Sequence, residues 1–274
     1  MVRLGAFLIG LFMAGWLMVS AGVTTYEMIT EPAVETAEHK FYKHPKAVSF
    51  KHDGAFGEYD LAQLQRGYKV YAEVCSACHS LNQIAFRNLG EIGYNEDEVK
   101  AIAKAAQVPS INPETGEPAM RPGLATDKLP SPYANETAAR AANNNALPPD
   151  LSLMTKARHN GPAYVYSLLT GYEKVPASLP KENRPGTGLH YNPYFANLNI
   201  AMVAPLANGQ VTFDDGSKND VKAMAKDVSA FLTWTAEPKL AQRKSVGWVA
   251  LIFLIIATGL AFLSYRQVWA GKEH

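Results

Sequence analysis

The sequence predicts a mainly α-helical protein with long loops and one membrane-spanning helix near its C-terminus. Apolar residues recur at three- and four-residue spacing in several segments that open on capping residues. Strand patterns are sparse, and the one that we predict covers Gln210 to Phe213. A long uncharged run follows Lys244. The hydrophobic fraction of 47% and the net charge of +1 fit a folded protein with additional apolar segments at its ends.

The first segment, residues 1–21, is predicted to be a secretory signal peptide. Arg3 precedes an uncharged run from Leu4 to Tyr26, and Val19-Ser20-Ala21 resembles the A-x-A site of signal peptidase. The alternative is a retained N-terminal anchor, because about 20 apolar residues suffice to span a bilayer. A mitochondrial transit peptide should be rich in Arg and Ser, so the sequence favours a bacterial source. Residues 22–53 are polar without a clear period and are predicted to form an extended lead-in.

Residues 54–240 are predicted to form the folded domain. Asp60 caps a helix that runs to Cys75, and Gly67 within that helix would let another helix approach closely. The candidate partner is the segment from Asp220 to Trp234, which carries an apolar stripe. Shorter helices are predicted at Glu96 to Ala106, at Glu136 to Ala142, at Leu151 to Arg158 after Asp150 as cap, and from Pro162 to Gly171.

Residues 245–265 are predicted to form a transmembrane helix. No charged residue lies between Lys244 and Arg266, and a helix of that length covers about 30 Å, the thickness of the hydrocarbon core. Trp248 and Trp269 lie where interfacial aromatic residues are common. A buried core helix is the alternative, but it should present one polar face, and this segment has none.

The chemistry of the chain is concentrated in Cys75-Ser76-Ala77-Cys78-His79. Two thiols one turn apart, followed by an imidazole, are typical of covalent haem c attachment, in which each sulfur adds to a vinyl group and His79 binds the iron. A zinc site needs about four ligands, and the chain contains no further cysteine. A thioredoxin-like pair needs a βαβ context that is missing from the pattern before Cys75.

This prediction determines the compartment and the topology. Haem c is attached outside the bacterial inner membrane or in the mitochondrial intermembrane space, so the domain should be periplasmic and the tail, residues 266–274, cytoplasmic. Between Gly22 and Leu240, acidic residues outnumber basic residues by 24 to 21, which excludes a nucleic-acid binder.

The second axial ligand is predicted to be Met202. It lies in an apolar loop segment from Asn199 to Leu206, whose small residues would allow close approach to a flat macrocycle. Met120, which we place in a loop, His159 and His190 are the alternatives. A thioether ligand favours a high reduction potential. A six-coordinate iron leaves no position for a substrate, which argues against an enzyme.

Several segments resemble the cytochrome c1 family, in order and from about Gly54 to the C-terminus. These segments are Arg66 to Tyr71, Met120 to Gly123, Ala138 to Asn144, Ala146 to Ser152, Tyr191 to Phe195, the Met202 loop, Ala225 to Val228 and Glu237-Pro238. The resemblance implies a mainly α c-type cytochrome domain with long loops around one covalent haem c, anchored by one C-terminal transmembrane helix.

The resemblance also implies roles for individual residues. Met202 is the axial ligand, Arg158 meets a haem propionate, and Pro148 and Pro149 line the haem pocket. Some bacterial members carry an extra cysteine pair and a longer insertion before the methionine loop. This chain has neither, so we expect packing alone to hold its loop.

The function implied is a relay of single electrons from the Rieske iron–sulfur protein to a c-type cytochrome acceptor. The relay would operate within a dimeric cytochrome bc1 complex that includes cytochrome b. One alternative is a free-standing, membrane-anchored cytochrome c that serves an oxidase. A haem enzyme such as a peroxidase is another, and it would need an open iron position that carbon monoxide could bind.

Overall fold

The computed structural model describes residues 2–30 and 35–271, which divide into one unit up to Phe41 and a second from Tyr42 onward. The α-helices are α1 Val2–Thr30, α2 Ala37–Phe41, α3 Leu61–Glu73, α4 Glu96–Ala105, α5 Glu136–Ala142, α6 Gly161–Leu169, α7 Val221–Ala236 and α8 Leu240–Trp269. Two antiparallel pairs are present, β1 Gln107–Ile111 with β2 Pro118–Pro122 and β3 His190–Tyr191 with β4 Asn199–Ile200. The mainly α fold is therefore confirmed.

The first unit consists of α1 and α2. Helix α1 continues to Thr30, and α2 is helical as well, which differs from the extended lead-in expected over residues 22–53. Residues 31–34 of that lead-in lie outside the described residues. The apolar run from Leu4 to Tyr26 therefore continues as one helix beyond the predicted cleavage site.

The core of the second unit is the crossing of α3 and α7. The Asp60 side chain accepts a hydrogen bond from the backbone N–H of Gln63 and caps α3, as predicted. A Cβ on Gly67 would collide with the carbonyl oxygen of Asp227 and the Cβ of Phe231. Because only glycine fits there, the two helices approach closely enough to bury α7 over most of its length. The predicted helix pair is confirmed.

A buried carboxylate joins the same two helices. Asp227 is 5% exposed and accepts hydrogen bonds from Nε2 of Gln63 and Nε of Arg66, each at 2.9 Å. Arg66 also pairs with Asp215 at 2.9 Å. The charge of Asp227 is thus compensated on α3, which makes the crossing specific as well as apolar.

Three local predictions were wrong. Residues 151–158 form turns instead of an α-helix, because the Asp150 side chain binds the N–H groups of Ser152 and Asn82. Residues 210–213 form no strand. Met120, which we placed in a loop, lies on β2 and pairs with Pro109. Strands β1 and β2 contain proline, and β3 and β4 have two residues each, which is why alternation did not reveal them. The helices predicted at residues 96–106, 136–142 and 162–171 are present as α4, α5 and α6.

Two helices of the described chain, α1 and α8, are long and apolar enough to cross a membrane. In α8 only Leu240 is buried, so the helix projects its apolar residues outward along its length. The residues after Arg266 remain helical to Trp269, and residues 272–274 of the predicted tail lie outside the described residues.

Candidate haem site

The Cys75–His79 segment is a tight turn at the end of α3. The helix ends at Glu73, and a 3₁₀ turn covers Cys75–Ala77. The N–H groups of Cys78 and His79 both donate to the carbonyl of Cys75, at 3.1 and 2.9 Å. The Tyr71 hydroxyl donates to the carbonyl of His79 at 3.0 Å. These bonds hold both thiols and the imidazole on one compact turn.

The imidazole of His79 is oriented by a distant carbonyl. Its Nδ1 lies 2.8 Å from the carbonyl oxygen of Pro149. A carbonyl can only accept, so Nδ1 carries the proton and Nε2 presents its lone pair. Burial lowers the pKa of His79, although the Pro149 bond and the charge of Asp150 act in the opposite direction. A neutral imidazole with a fixed tautomer is the state that an iron ligand requires.

The two thiols also suit covalent haem attachment. Cys75 and Cys78 are each partly buried and carry no disulfide. Burial, with a smaller contribution from Cys78, raises the pKa of the Cys75 thiol to about 12. Protonated, unpaired thiols beside a ligating imidazole are the donor set for haem c, so the residues present fit the group.

Asp150 links the segment that contains Pro149 to the residues that follow His79. Its carboxylate accepts from the Ser80 hydroxyl at 2.8 Å and from the Asn82 and Ser152 N–H groups at 2.8 and 2.9 Å. Burial raises the pKa of Asp150, but these hydrogen bonds outweigh it and leave the pKa below its usual value. The carboxylate is therefore ionised at neutral pH and fixes Pro149 against His79.

The Met202 loop follows β4 and is attached by a side chain from another element. The Tyr172 hydroxyl donates to the carbonyl of Met202 at 2.9 Å. Burial raises the pKa of Tyr172, so its hydroxyl stays protonated as a donor. Leu206 is buried, whereas Val203 is 62% exposed. The expectation that packing alone holds this loop was wrong.

Comparison with known proteins identifies the family. The model of the cytochrome C1 family matches residues 50–272. The chain belongs to the cytochrome c1 family. Its cofactor is haem c, as predicted, and its mainly α-helical domain is followed by an apolar helix that is long enough to span a membrane.

Three curated relatives illustrate the similarity. Cytochrome c1 1 of Arabidopsis thaliana, a mitochondrial heme protein, is 42% identical, covering 92% of this chain and 81% of the relative. The cytochrome b-c1 complex catalytic subunit of Candida albicans is 42% identical, covering 94% and 89%. Cytochrome c1 of Rhodospirillum rubrum is 41% identical, covering 81% and 86%.

Of the remaining predicted site residues, two are exposed and one is half-buried. Arg158 is exposed, and its guanidinium donates to the carbonyl of Ala157 at 3.0 Å. Pro148 is half-buried and Pro149 exposed. The structure thus brings Pro149 to His79, while Arg158 remains available to a carboxylate such as a propionate.

The three alternatives to Met202 as the second axial ligand lie at three different places in the domain. Met120 is 60% exposed on β2, next to Arg121, which pairs with Asp127. His159 is exposed just before α6. His190, on β3, lines an open groove of about 540 Å³ that also contains Tyr172 and Val203.

Sequence reasoning missed Tyr172 and Asp150 as positioning residues. Tyr172 was passed over because it follows the end of a predicted helix and carries no motif. The sequence predicts Asp150 as a helix cap. That prediction correctly gives a carboxylate that binds backbone N–H groups, but it does not identify which N–H groups Asp150 binds.

Proposed function

We propose that this chain is the haem-bearing subunit of a cytochrome bc1 complex. In that role it relays single electrons from a Rieske iron–sulfur protein to a c-type cytochrome acceptor, beside cytochrome b. The observation that carries the proposal is the His79 imidazole, whose Nδ1 donates to the carbonyl of Pro149, so that the lone pair of Nε2 can bind iron. The name of the Candida albicans relative, a catalytic subunit of a b-c1 complex, supports the assembly.

Five residues would hold the haem. Cys75 and Cys78 would form the two thioethers, His79 and Met202 would supply the axial ligands, and Arg158 would bind a propionate. Pro148 and Pro149 would line the pocket. The bound haem supplies one-electron chemistry at a potential that the methionine ligand raises.

The protein's own contribution is to orient the two proposed iron ligands. Pro149 and Asp150 fix the imidazole, and Tyr172 fixes the backbone of the Met202 loop. Neither contact provides a general base or a nucleophile near a substrate. The arrangement therefore supports electron transfer without bond-making chemistry on a substrate by this subunit.

The proposed topology places the haem domain, residues 54–240, in the bacterial periplasm. Residues 245–265 would span the inner membrane and residues 266–274 would be cytoplasmic. Residues 1–21 would be removed as a signal peptide, or kept as a second anchor. Helix α8, long and apolar enough to span, supports the C-terminal anchor.

The test is purification through a tag placed after Lys272, in a mild detergent that keeps membrane complexes intact. Reduced-minus-oxidised spectra and a mass analysis of the purified chains are recorded together. Co-purifying b-type haem and a Rieske protein are expected, and the mass shows whether residues 1–21 are kept. A c-type spectrum alone would favour a free-standing cytochrome that serves an oxidase.

Carbon monoxide tests the coordination that the proposal requires. A reduced protein with His79 and Met202 both bound should refuse carbon monoxide. Binding by the unmodified protein would indicate an open iron position and would favour a haem enzyme.

A further inference from the structure

The loop that precedes α3 binds the beginning of α8. We define the 52–57 loop as residues His52 to Gly57. Nζ of Lys244, in the second turn of α8, donates to the carbonyls of His52 and Gly57 at 2.6 and 3.3 Å. One turn further, Nε1 of Trp248 lies 3.3 Å from the carbonyl of Ala55. The loop is thus attached to two successive turns of the helix.

The attachment exposes one aromatic ring. Phe56 stacks on Trp248 with ring centroids 5.1 Å apart and an interplanar angle of 10°. Phe56 nevertheless remains 79% exposed. Phe56 covers one face of the Trp248 indole and is itself largely exposed. It therefore adds to the exposed apolar surface of α8.

Contacts at the base of the 52–57 loop fix the position from which Phe56 projects. Phe50 and Asp53 exchange hydrogen bonds of 3.0 and 2.6 Å that close the preceding turn. The His52 ring is 4% exposed and packs between Phe50 and Tyr59, at centroid distances of 5.0 and 5.2 Å. A Cβ on Gly57 would collide with the backbone of His52 and Asp53. The base of the loop is therefore fixed to the domain.

The Phe56 ring lies beside Trp248, at the end of the apolar run of α8 that is nearer the domain. Trp248 directly precedes the apolar run that starts at Val249, and Lys244 lies about 6 Å closer to the domain at 1.5 Å per residue. Aromatic rings are favoured at the interfacial ends of a membrane span. The carbonyls of His52, Ala55 and Gly57 already have donors, so the loop can enter a region with little water without leaving them unpaired.

We propose that the 52–57 loop is a second membrane contact of this protein. Phe56 inserts beside Trp248 at the boundary of lipid headgroups and acyl chains. With α8 spanning the bilayer, which is part of the proposed function, the domain is held at two points, and its tilt relative to the membrane is restricted. The occupant is the lipid bilayer, because the ring continues the lipid-facing surface of α8 at the same level.

The experiment measures the depth of the loop directly. The full chain with covalent haem is prepared as Ala55→Cys, which leaves Phe56 in place. It carries a nitroxide label and is reconstituted in nanodiscs of phosphatidylcholine and phosphatidylglycerol. Both native cysteines are expected in thioethers, so the new thiol is the only one that reacts. Electron paramagnetic resonance compares the accessibility of the label to oxygen and to a water-soluble nickel chelate.

Two reference positions calibrate the result. A label at Ile111→Cys, on a residue 68% exposed in the haem domain, reports water. A label at Ile255→Cys, in the apolar run of α8, reports the bilayer. The oxygen-to-nickel ratio at position 55 should be several-fold higher than at position 111 and below that at position 255. Equal ratios at positions 55 and 111 would overturn the proposal.

Variants test whether the ring is the cause. Phe56→Ser in the labelled chain should lower the ratio toward that of position 111, whereas Phe56→Trp should keep it. Leu61→Ser, at a residue 48% exposed on α3, is the matched control and should leave the ratio unchanged. A reduced c-type spectrum for every variant establishes that the domain is folded. An unchanged ratio in Phe56→Ser would contradict the role of the ring.

Two further outcomes distinguish a failure of the proposed loop contact from a failure of the proposed membrane span of α8. A label at position 255 that is open to nickel would contradict the membrane span of α8 and hence the proposed topology. A label at position 55 that is open in nanodiscs but shielded in the intact multisubunit complex would show that a protein subunit covers the loop. That result would overturn the lipid assignment and leave the electron-transfer function intact.

Discussion

The two sides of the proposed haem pocket differ in how they are built. On the first side, His79 follows the short turn at the end of α3, and bonds to Cys75 and Tyr71, within eight residues, hold its backbone. On the second side, Met202 lies in a half-exposed loop and is attached by Tyr172, 30 residues earlier. A ligand held by its own turn is rigid from the start, whereas a ligand on a loop depends on what the loop contacts.

The contrast predicts different consequences when each side is disturbed. Damage to the helical side should cost stability of the whole domain, because α3 and α7 form its core. Damage to the Met202 side should change the coordination of the iron and leave the fold intact. The predictions below separate these two effects.

The largest effect is expected for Met202→Leu. The haem stays attached through Cys75 and Cys78, but the thioether ligand is lost, so the midpoint potential falls. A fall on the order of 0.1 V is a modest part of the ~0.8 V over which axial ligands set haem potentials. Redox titration measures it. Met120→Leu is the control and should keep the original potential; a fall in that variant alone would assign the ligand to Met120.

On the helical side, Gly67→Ala should destabilise the domain by about 1–3 kcal/mol, the usual cost of overpacking a close helix contact. The added methyl group meets the Asp227 carbonyl and the Phe231 side chain. Denaturant unfolding of the reduced protein measures the loss. Gly90→Ala, where a Cβ meets nothing within 4 Å, should change stability little. Equal effects of the two substitutions would show that the α3 and α7 crossing is looser than described.

The contacts that hold Pro149 beside His79 on the first side are tested by Asp150→Asn. Loss of charge-assisted hydrogen bonds to Ser80, Asn82 and Ser152 should cost about 2 kcal/mol. The pKa of Asp150 is below its usual value in the folded protein, so its contribution is complete above about pH 4 and is lost as the pH falls through the folded pKa. Unfolding free energies at pH 7 and in the acid range measure both. Asp97→Asn, at a 97% exposed side chain, should not reproduce the loss at pH 7.

The smallest effect, and the sharpest comparison, is expected for Tyr172→Phe. The variant removes one hydrogen bond to the Met202 loop, which costs about 1 kcal/mol. The looser loop should release the methionine more often, so the reduced variant should bind carbon monoxide at a measurable rate, whereas the unmodified protein should refuse it. Stopped-flow mixing gives that rate.

Tyr59→Phe is the matched control for Tyr172→Phe. The Tyr59 hydroxyl also donates to a backbone carbonyl, that of Glu237, at 2.9 Å. We expect a similar loss of stability without carbon monoxide binding. If both variants bind carbon monoxide equally fast, Tyr172 has no particular role in holding the Met202 loop.

Much of the fold could be predicted where the signal is local. The cap at Asp60 and the bounds of α5 depend on residues within a few positions of one another. The crossing of α3 and α7 joins distant residues, but each helix carries its own local signal, Gly67 on one and an apolar stripe on the other. The wrong prediction of a helix after Asp150 arose because one side chain had two possible sets of hydrogen-bond partners. The Asp150 side chain could cap a helix or bind Asn82, and nothing near residue 150 indicates that Asn82 would be within reach.

The amino-acid sequence by itself determined the Cys75–His79 motif and indicated the two helices, α3 and α7. These features arise from hydrogen bonds and apolar spacing within single turns, which are written in consecutive residues. Only the tertiary structure decided that Pro149 orients His79 across 70 positions, that Tyr172 supports Met202 across 30, and that Trp248 meets Ala55 across 193. Such pairs form only when the chain closes long loops around the core, so composition and periodicity cannot indicate them.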